Sequence, residues 1–141
     1  MKSLILLFGI VLSLSSCSKD NEDRMDNNSI LGTWKLSASI VNTSLENDGE
    51  WKQIENGYKY IFKSDGTFYS DRFKECVEGT YHLTDLKLTL IYNCPNFTSN
   101  LWENPKGTFV EKYRIEGNEL FLSPDYIFCE GCLWKFKRIQ E

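Results

Sequence analysis

Leu31-Gly32-Thr33-Trp34-Lys35-Leu36 opens the first run of the chain that alternates like a strand. Trp34, Leu36, Ala38 and Ile40 fall on one face, and Lys35, Ser37 and Ser39 on the other. That is the period of a strand with one dry side and one wet side. Gly32 carries no Cβ, so a bulky side chain can cross close over its backbone. A polar lead rich in Asn and Asp precedes it.

Seven further segments repeat the pattern, which predicts strands at about 30–41, 58–63, 67–73, 79–83, 86–92, 109–115, 119–122 and 133–139. Ser64-Asp65-Gly66, Thr84-Asp85 and Glu116-Gly117-Asn118 are tight-turn signals between them. Residues 42–56 and 94–107, the latter carrying Pro95 and Pro105, are long loops, and Ser123-Pro124-Asp125 ends the seventh strand. The chain has 141 residues, enough for one domain behind a short leader. At 41% hydrophobic and 14% aromatic it can build a core. The fold class is therefore all-β, and eight consecutively connected strands with an aromatic inner face can close into an up-and-down antiparallel barrel that has no open edge. A sandwich of two four-stranded sheets is the structural alternative.

Direction reverses at every connection, so connections one, three, five and seven share one end of such a barrel. Those are residues 42–56, 74–78, 94–107 and 123–131, and the tight turns gather at the other end. Binding sites in barrels sit at the mouth, so the long-loop rim is the candidate site.

The G-x-W step with its alternating tail resembles the first strand of lipocalins, and more closely the lipocalin-like domains of Bacteroidetes lipoproteins. F-x-S-D-G-T-F, G-T-Y…L-x-L, Y-x-I-x-G-N-x-L-x-L and the W-K-F-K-R end follow in the same order over about residues 30–140. The resemblance implies a lipocalin-like barrel over 30–141. It also implies that Arg138 of the last strand lies across Trp34 at the closed end, in a structural role.

Met1-Lys2-Ser3 and the apolar run 4–12 form a secretory signal too short to span a bilayer. It ends in Leu14-Ser15-Ser16-Cys17, which resembles the bacterial lipobox. On that resemblance 1–16 is a lipoprotein signal peptide and Cys17 the lipidated terminus; the alternative is a cleaved signal with an incidental cysteine. Residues 17–29 are too polar to fold and read as a flexible tether. Lys19-Asp20 and Glu22-Asp23 look either like the acidic export signal of surface lipoproteins or like solvated linker charge. The expected address is the outer membrane, on its cell-surface or periplasmic face.

Net charge is −4, and loss of Lys2 with the leader takes the mature chain to −5, which argues against nucleic acid as a partner. His82, the one histidine, alternates with Tyr81 and Leu83 and is placed on the outer face. No G-x-S-x-G, H-E-x-x-H or phosphate loop occurs, so no catalytic residue, metal or cofactor is expected and the chain reads as non-enzymatic. The acids fall on turns and outer faces, where solubility accounts for them. The expected barrel lining, and candidate ligand contact, is Tyr58, Tyr60, Phe62, Phe68, Tyr81, Leu88, Leu90, Tyr92, Tyr113, Trp134 and Phe136. Arg72 shares parity with Phe68 and Ser70. It either points inward near the mouth, where it could neutralise a ligand carboxylate, or snorkels to the rim, the commoner outcome.

Cys76, Cys94, Cys129 and Cys132 fall in or beside the odd-numbered connections, so all four lie at the rim. Three pairings are open, and a zinc site would be their rival. Zinc pairs usually come as two C-x-x-C elements, and only Cys129-Glu130-Gly131-Cys132 is one. Cys76–Cys94 and Cys129–Cys132 disulfides are the favoured pairing. The leading functional expectation is a barrel holding a small apolar or amphipathic ligand. The other is a filled barrel whose rim loops bind a protein or glycan partner. Replacing Cys17 with alanine should release the protein from the membrane fraction; a variant that still sediments with membranes would place the anchor elsewhere.

Overall fold

The computed structural model describes residues 29–40, 49–127, 129 and 131–140. The leader, Cys17, most of the tether and part of the first long loop lie outside the described residues. Among the described residues nine strands form one antiparallel sheet: β1 (Gly32–Ile40), β2 (Lys52–Gln53), β3 (Lys59–Phe62), β4 (Thr67–Ser70), β5 (Glu78–Thr84), β6 (Lys87–Tyr92), β7 (Thr108–Glu116), β8 (Glu119–Pro124) and β9 (Leu133–Ile139). Their order is β2-β1-β3-β4-β5-β6-β7-β8-β9, and β9 returns to pair with β1. That last pairing, from Thr33↔Ile139 to Ile40↔Leu133, closes an eight-stranded barrel and excludes the sandwich.

The eight expected strands are all present, with three differences. The loop 42–56 contains an extra strand, β2, whose Lys52 and Gln53 pair with Ser39 and Ala38 of β1. The segment 67–73 stays extended only to Ser70, because the backbone N–H of that residue bonds to Val77 and the chain then turns in to the rim. β8 runs two residues beyond the expected Leu122 and ends at Pro124, which as the last residue, opposite Glu111, needs no N–H for the ladder.

Alternation places Trp34, Leu36, Tyr60, Phe62, Phe68, Leu88, Leu90, Phe109, Leu120, Leu122 and Phe136 in one buried cluster inside the barrel. Rings meet edge to face or offset, at centroid distances such as 5.0 Å for Phe68–Tyr92 and 5.5 Å for Tyr60–Phe62. A Cβ on Gly79 would stand 2.5 Å from the Phe68 ring and 2.2 Å from the Ile91 carbonyl, so this glycine gives Phe68 its place. Phe121 faces outward yet is 7% exposed, because Trp51, just ahead of β2, lies 6.1 Å from it on the outer wall.

The closed end is tied by three groups. The Arg138 guanidinium lies 4.1 Å from the centroid of Trp34. Its nitrogens donate to the carbonyls of Leu31 at 2.6 Å and Ser29 at 2.7 Å. The Trp34 indole donates to the Ile30 carbonyl at 2.7 Å. Gly32 sits at φ +109°, and a Cβ there would approach the guanidinium to 3.3 Å. Trp34→Ala should cost about 3–5 kcal/mol of unfolding free energy, as for large aromatic truncations. Arg138→Ala should cost less, and urea unfolding of the double variant should show a loss smaller than the sum; additive losses would mean the two side chains act independently.

Candidate functional site at the rim

The long connections gather at one end. Cys76, between β4 and β5, is bonded to Cys94, just after β6, with Cα atoms 5.7 Å apart. Cys129 is bonded to Cys132 within the loop ahead of β9. These are the two expected bonds, and they staple three connections at the mouth. Closing the segment 76–94 is worth about 3 kcal/mol in the chain-entropy view of disulfides.

Beneath the rim lies a polar layer built around Arg72. The Arg72 side chain is only 12% exposed, so it points inward and does not snorkel. The cause is aromatic enclosure: the guanidinium stands 4.9–5.9 Å from the rings of Tyr58, Phe73, Phe109 and Tyr126. It donates to the Tyr126 hydroxyl at 2.7 Å and the Tyr60 hydroxyl at 3.3 Å. Its Nη1 lies 3.7 Å from a carboxylate oxygen of Glu111, which is 1% exposed. The other oxygen of Glu111 has no hydrogen-bond partner among the described residues. Burial raises the Glu111 carboxyl to about 7, against the downward pull of Arg72. Desolvation likewise raises the phenols of Tyr58 and Tyr60.

Above this layer the loop 93–107 is braced by a second buried acid. Glu103, 7% exposed, accepts hydrogen bonds from the Thr98 hydroxyl and the Ser99 N–H at 2.6 Å each, and from the Leu101 N–H at 2.9 Å. Burial alone would push its carboxyl up, but these donors outweigh that and hold it at about 2. The brace projects a tip at which Leu101 is 40% exposed and Trp102 is 87% exposed. Residues 94–100 of the same loop, with Phe73 and Glu75 of the loop that Cys76–Cys94 joins to it, line an open cleft of about 540 Å³.

Of the expected lining, Tyr60, Phe62, Phe68, Leu88, Leu90, Tyr92 and Phe136 are buried inside. Tyr58, Tyr81, Tyr113 and Trp134 are half-buried and pack against them. His82 is exposed, on the outer face as expected. Glu111 and Glu103 correct the placing of all acids on turns and outer faces. Glu111 was legible, since it alternates inward between Phe109 and Tyr113. Glu103, Tyr126 and Trp102 lie in loops, where no period announces direction.

The fold is shared with three crystal structures. A lipocalin-like protein from Bacteroides uniformis ATCC 8492 is 18% identical, with a TM-score of 0.52 over 77% of this chain and 97% of that one. An uncharacterized protein from Bacteroides eggerthii DSM 20697 is 16% identical, with a TM-score of 0.54 over 79% and 100%. A DUF4847 family protein from Bacteroides vulgatus ATCC 8482 is 20% identical, with a TM-score of 0.50 over 78% and 94%. No protein-family model and no curated protein matches the chain. The barrel is thus lipocalin-like in fold, the class the sequence motifs resemble.

The raised Glu111 gives a signed pH dependence. Its preference for the protonated form contributes stability that is full below the usual carboxyl value of 4.5 and is lost as pH rises through about 7. Glu111→Gln, the uncharged isostere, should gain on the wild type in urea midpoint between pH 5 and pH 8. A constant difference across that range would show that Glu111 titrates normally.

Proposed function

We propose that this chain is a lipid-anchored, non-enzymatic protein of the cell envelope whose filled barrel presents its rim loops to a partner. The observation that carries this reading is the state of the interior. Trp34, Tyr60, Leu88, Leu90, Phe109, Leu120 and Phe136 have 0% exposure. A hollow barrel would leave their inner faces open to water, and small barrels are commonly filled by their own side chains. The carrier reading needs a void of a few hundred Å³ among rings that touch.

The outside complements the inside. Leu101 and Trp102 stand exposed side by side on the braced rim loop, where a partner would reach them. Arg72 and Glu111 are enclosed rather than presented to a substrate, which supports a binding role over catalysis. Among the described residues no cluster of His, Cys, Asp and Glu is arranged to hold a metal. The anchor reading rests on Cys17 after its apolar run. Ser29 enters the barrel at the closed end, beside Arg138, so a tether from Cys17 would join the barrel at the end opposite the rim. The address that follows is the outer membrane.

Native mass spectrometry of the protein purified from its own host tests the filled barrel. The expected result is the mass of the acylated chain alone. A stoichiometric small apolar passenger, retained through gentle desolvation, would sink the rim reading in favour of a carrier.

A further inference from the structure

We propose that the open cleft beside the Cys76–Cys94 disulfide binds a neutral carbohydrate chain, with Trp102 as the platform on which a sugar ring stacks. This deepens the rim reading and rests on it. The cleft's volume of about 540 Å³ lies within the usual range for small-molecule sites, ~300–1,000 Å³. Its chemistry is narrower than its size.

Asn96 and Asn100 line it with exposed side chains, and each amide both donates and accepts hydrogen bonds. Both residues sit in the left-handed region, at φ +60° and +61°, a conformation Asn tolerates better than most residues. Ser99 adds a hydroxyl and Glu75 a carboxylate, an acceptor for paired hydroxyls. Among the described residues no hydrogen bond engages the side chains of Asn96, Asn100 or Glu75. Phe97 supplies an apolar wall and packs 5.2 Å from Phe73, which fixes it.

Ligand classes separate on charge and hydrogen bonding. Among the described residues no cation lines the cleft, so an anionic ligand finds no counter-charge there and meets Glu75. A purely apolar ligand would strip water from the amides and the carboxylate without replacing their hydrogen bonds. A neutral sugar matches both halves: its hydroxyls donate and accept as the amides do, and its C–H face covers an aromatic ring. Trp102 is not part of the lining itself; it follows two residues beyond Asn100 on the same loop and offers that ring at 87% exposure. The Glu103 brace holds the loop in place before any ligand arrives, so binding orders little.

The test is titration of the intact chain, kept in a sugar-free detergent, with maltoheptaose, cellohexaose and mannohexaose. Oligogalacturonate serves as the anionic control. Calorimetry and intrinsic tryptophan fluorescence should show saturable binding to at least one neutral chain and none to oligogalacturonate. Trp102→Ala should weaken that binding by roughly tenfold or more, as buried aromatic anchors do. Trp102→Phe should keep most of it, and Trp51→Ala on the outer wall should leave it unchanged. Thermal melts of the variants control for folding. Failure of all three neutral chains at millimolar concentration, undiminished binding by Trp102→Ala, or preference for the anionic chain would each overturn the assignment. A small passenger in the native mass spectrum would remove the rim reading itself. A clean native spectrum with blank titrations would remove the carbohydrate alone.

Discussion

The stacking of Arg138 on Trp34 is the joint on which the barrel depends. A sheet of eight strands closes only if its last strand finds its first in register, and Trp34 and Arg138 are opposite one another in that pairing. A guanidinium over an indole contributes about 0.5–2 kcal/mol by cation–π attraction. The geometry matters as much as the energy. The same guanidinium holds the carbonyls of Ser29 and Leu31, so the incoming chain, β1 and β9 meet at one charged group. Partial burial there lowers the Arg138 pKa. The aromatic interior is stacked upward from it, from Trp34 through Tyr60 and Phe136 to the rings around Arg72.

Two buried glutamates show how local donors decide the state of a charge. Both are shielded from water, at 1% and 7% exposure, but Glu111 lies deep in the barrel and Glu103 in a loop at its surface. Glu103 is surrounded by backbone and hydroxyl donors, which replace the water it lost, and it stays ionised down to about 2. Glu111 has Arg72 at 3.7 Å, too far for a good hydrogen bond, some help from the Tyr126 hydroxyl, and one oxygen that no described residue satisfies. Desolvation therefore wins and its carboxyl rises to about 7. One acid braces a loop; the other keeps the polar layer sensitive to pH in the neutral range.

Much of the fold was readable because strand alternation and turn chemistry are local. Trp34, Leu36, Tyr60, Phe62, Leu88 and Leu90 could be placed inside from period alone, and the four rim cysteines from counting reversals of direction. The two residues of β2 carry no period to recognise, and their pairing depends on β1 lying open beside them. Arg72 ran against its usual preference because four rings from three loops and strands converge on it, which no spacing within one segment reveals. The exposed tip at Trp102 is set by hydrogen bonds to Glu103 across a loop of irregular backbone, a tertiary fact with no sequence signature.

The short strand β2 has a consequence for life in a crowd. β3 covers only the Gly32–Lys35 half of one edge of β1. The remaining N–H and C=O groups would face outward as a template for another chain, and unguarded edges of this kind nucleate strand-to-strand sticking. Lys52 and Gln53 occupy that gap at Ala38 and Ser39, and the Ile54 N–H takes the Ser37 carbonyl at 2.8 Å. Three residues of the first long connection thus finish the seam that closure alone leaves half open. Neighbouring copies can then sit at high density without zipping into one another.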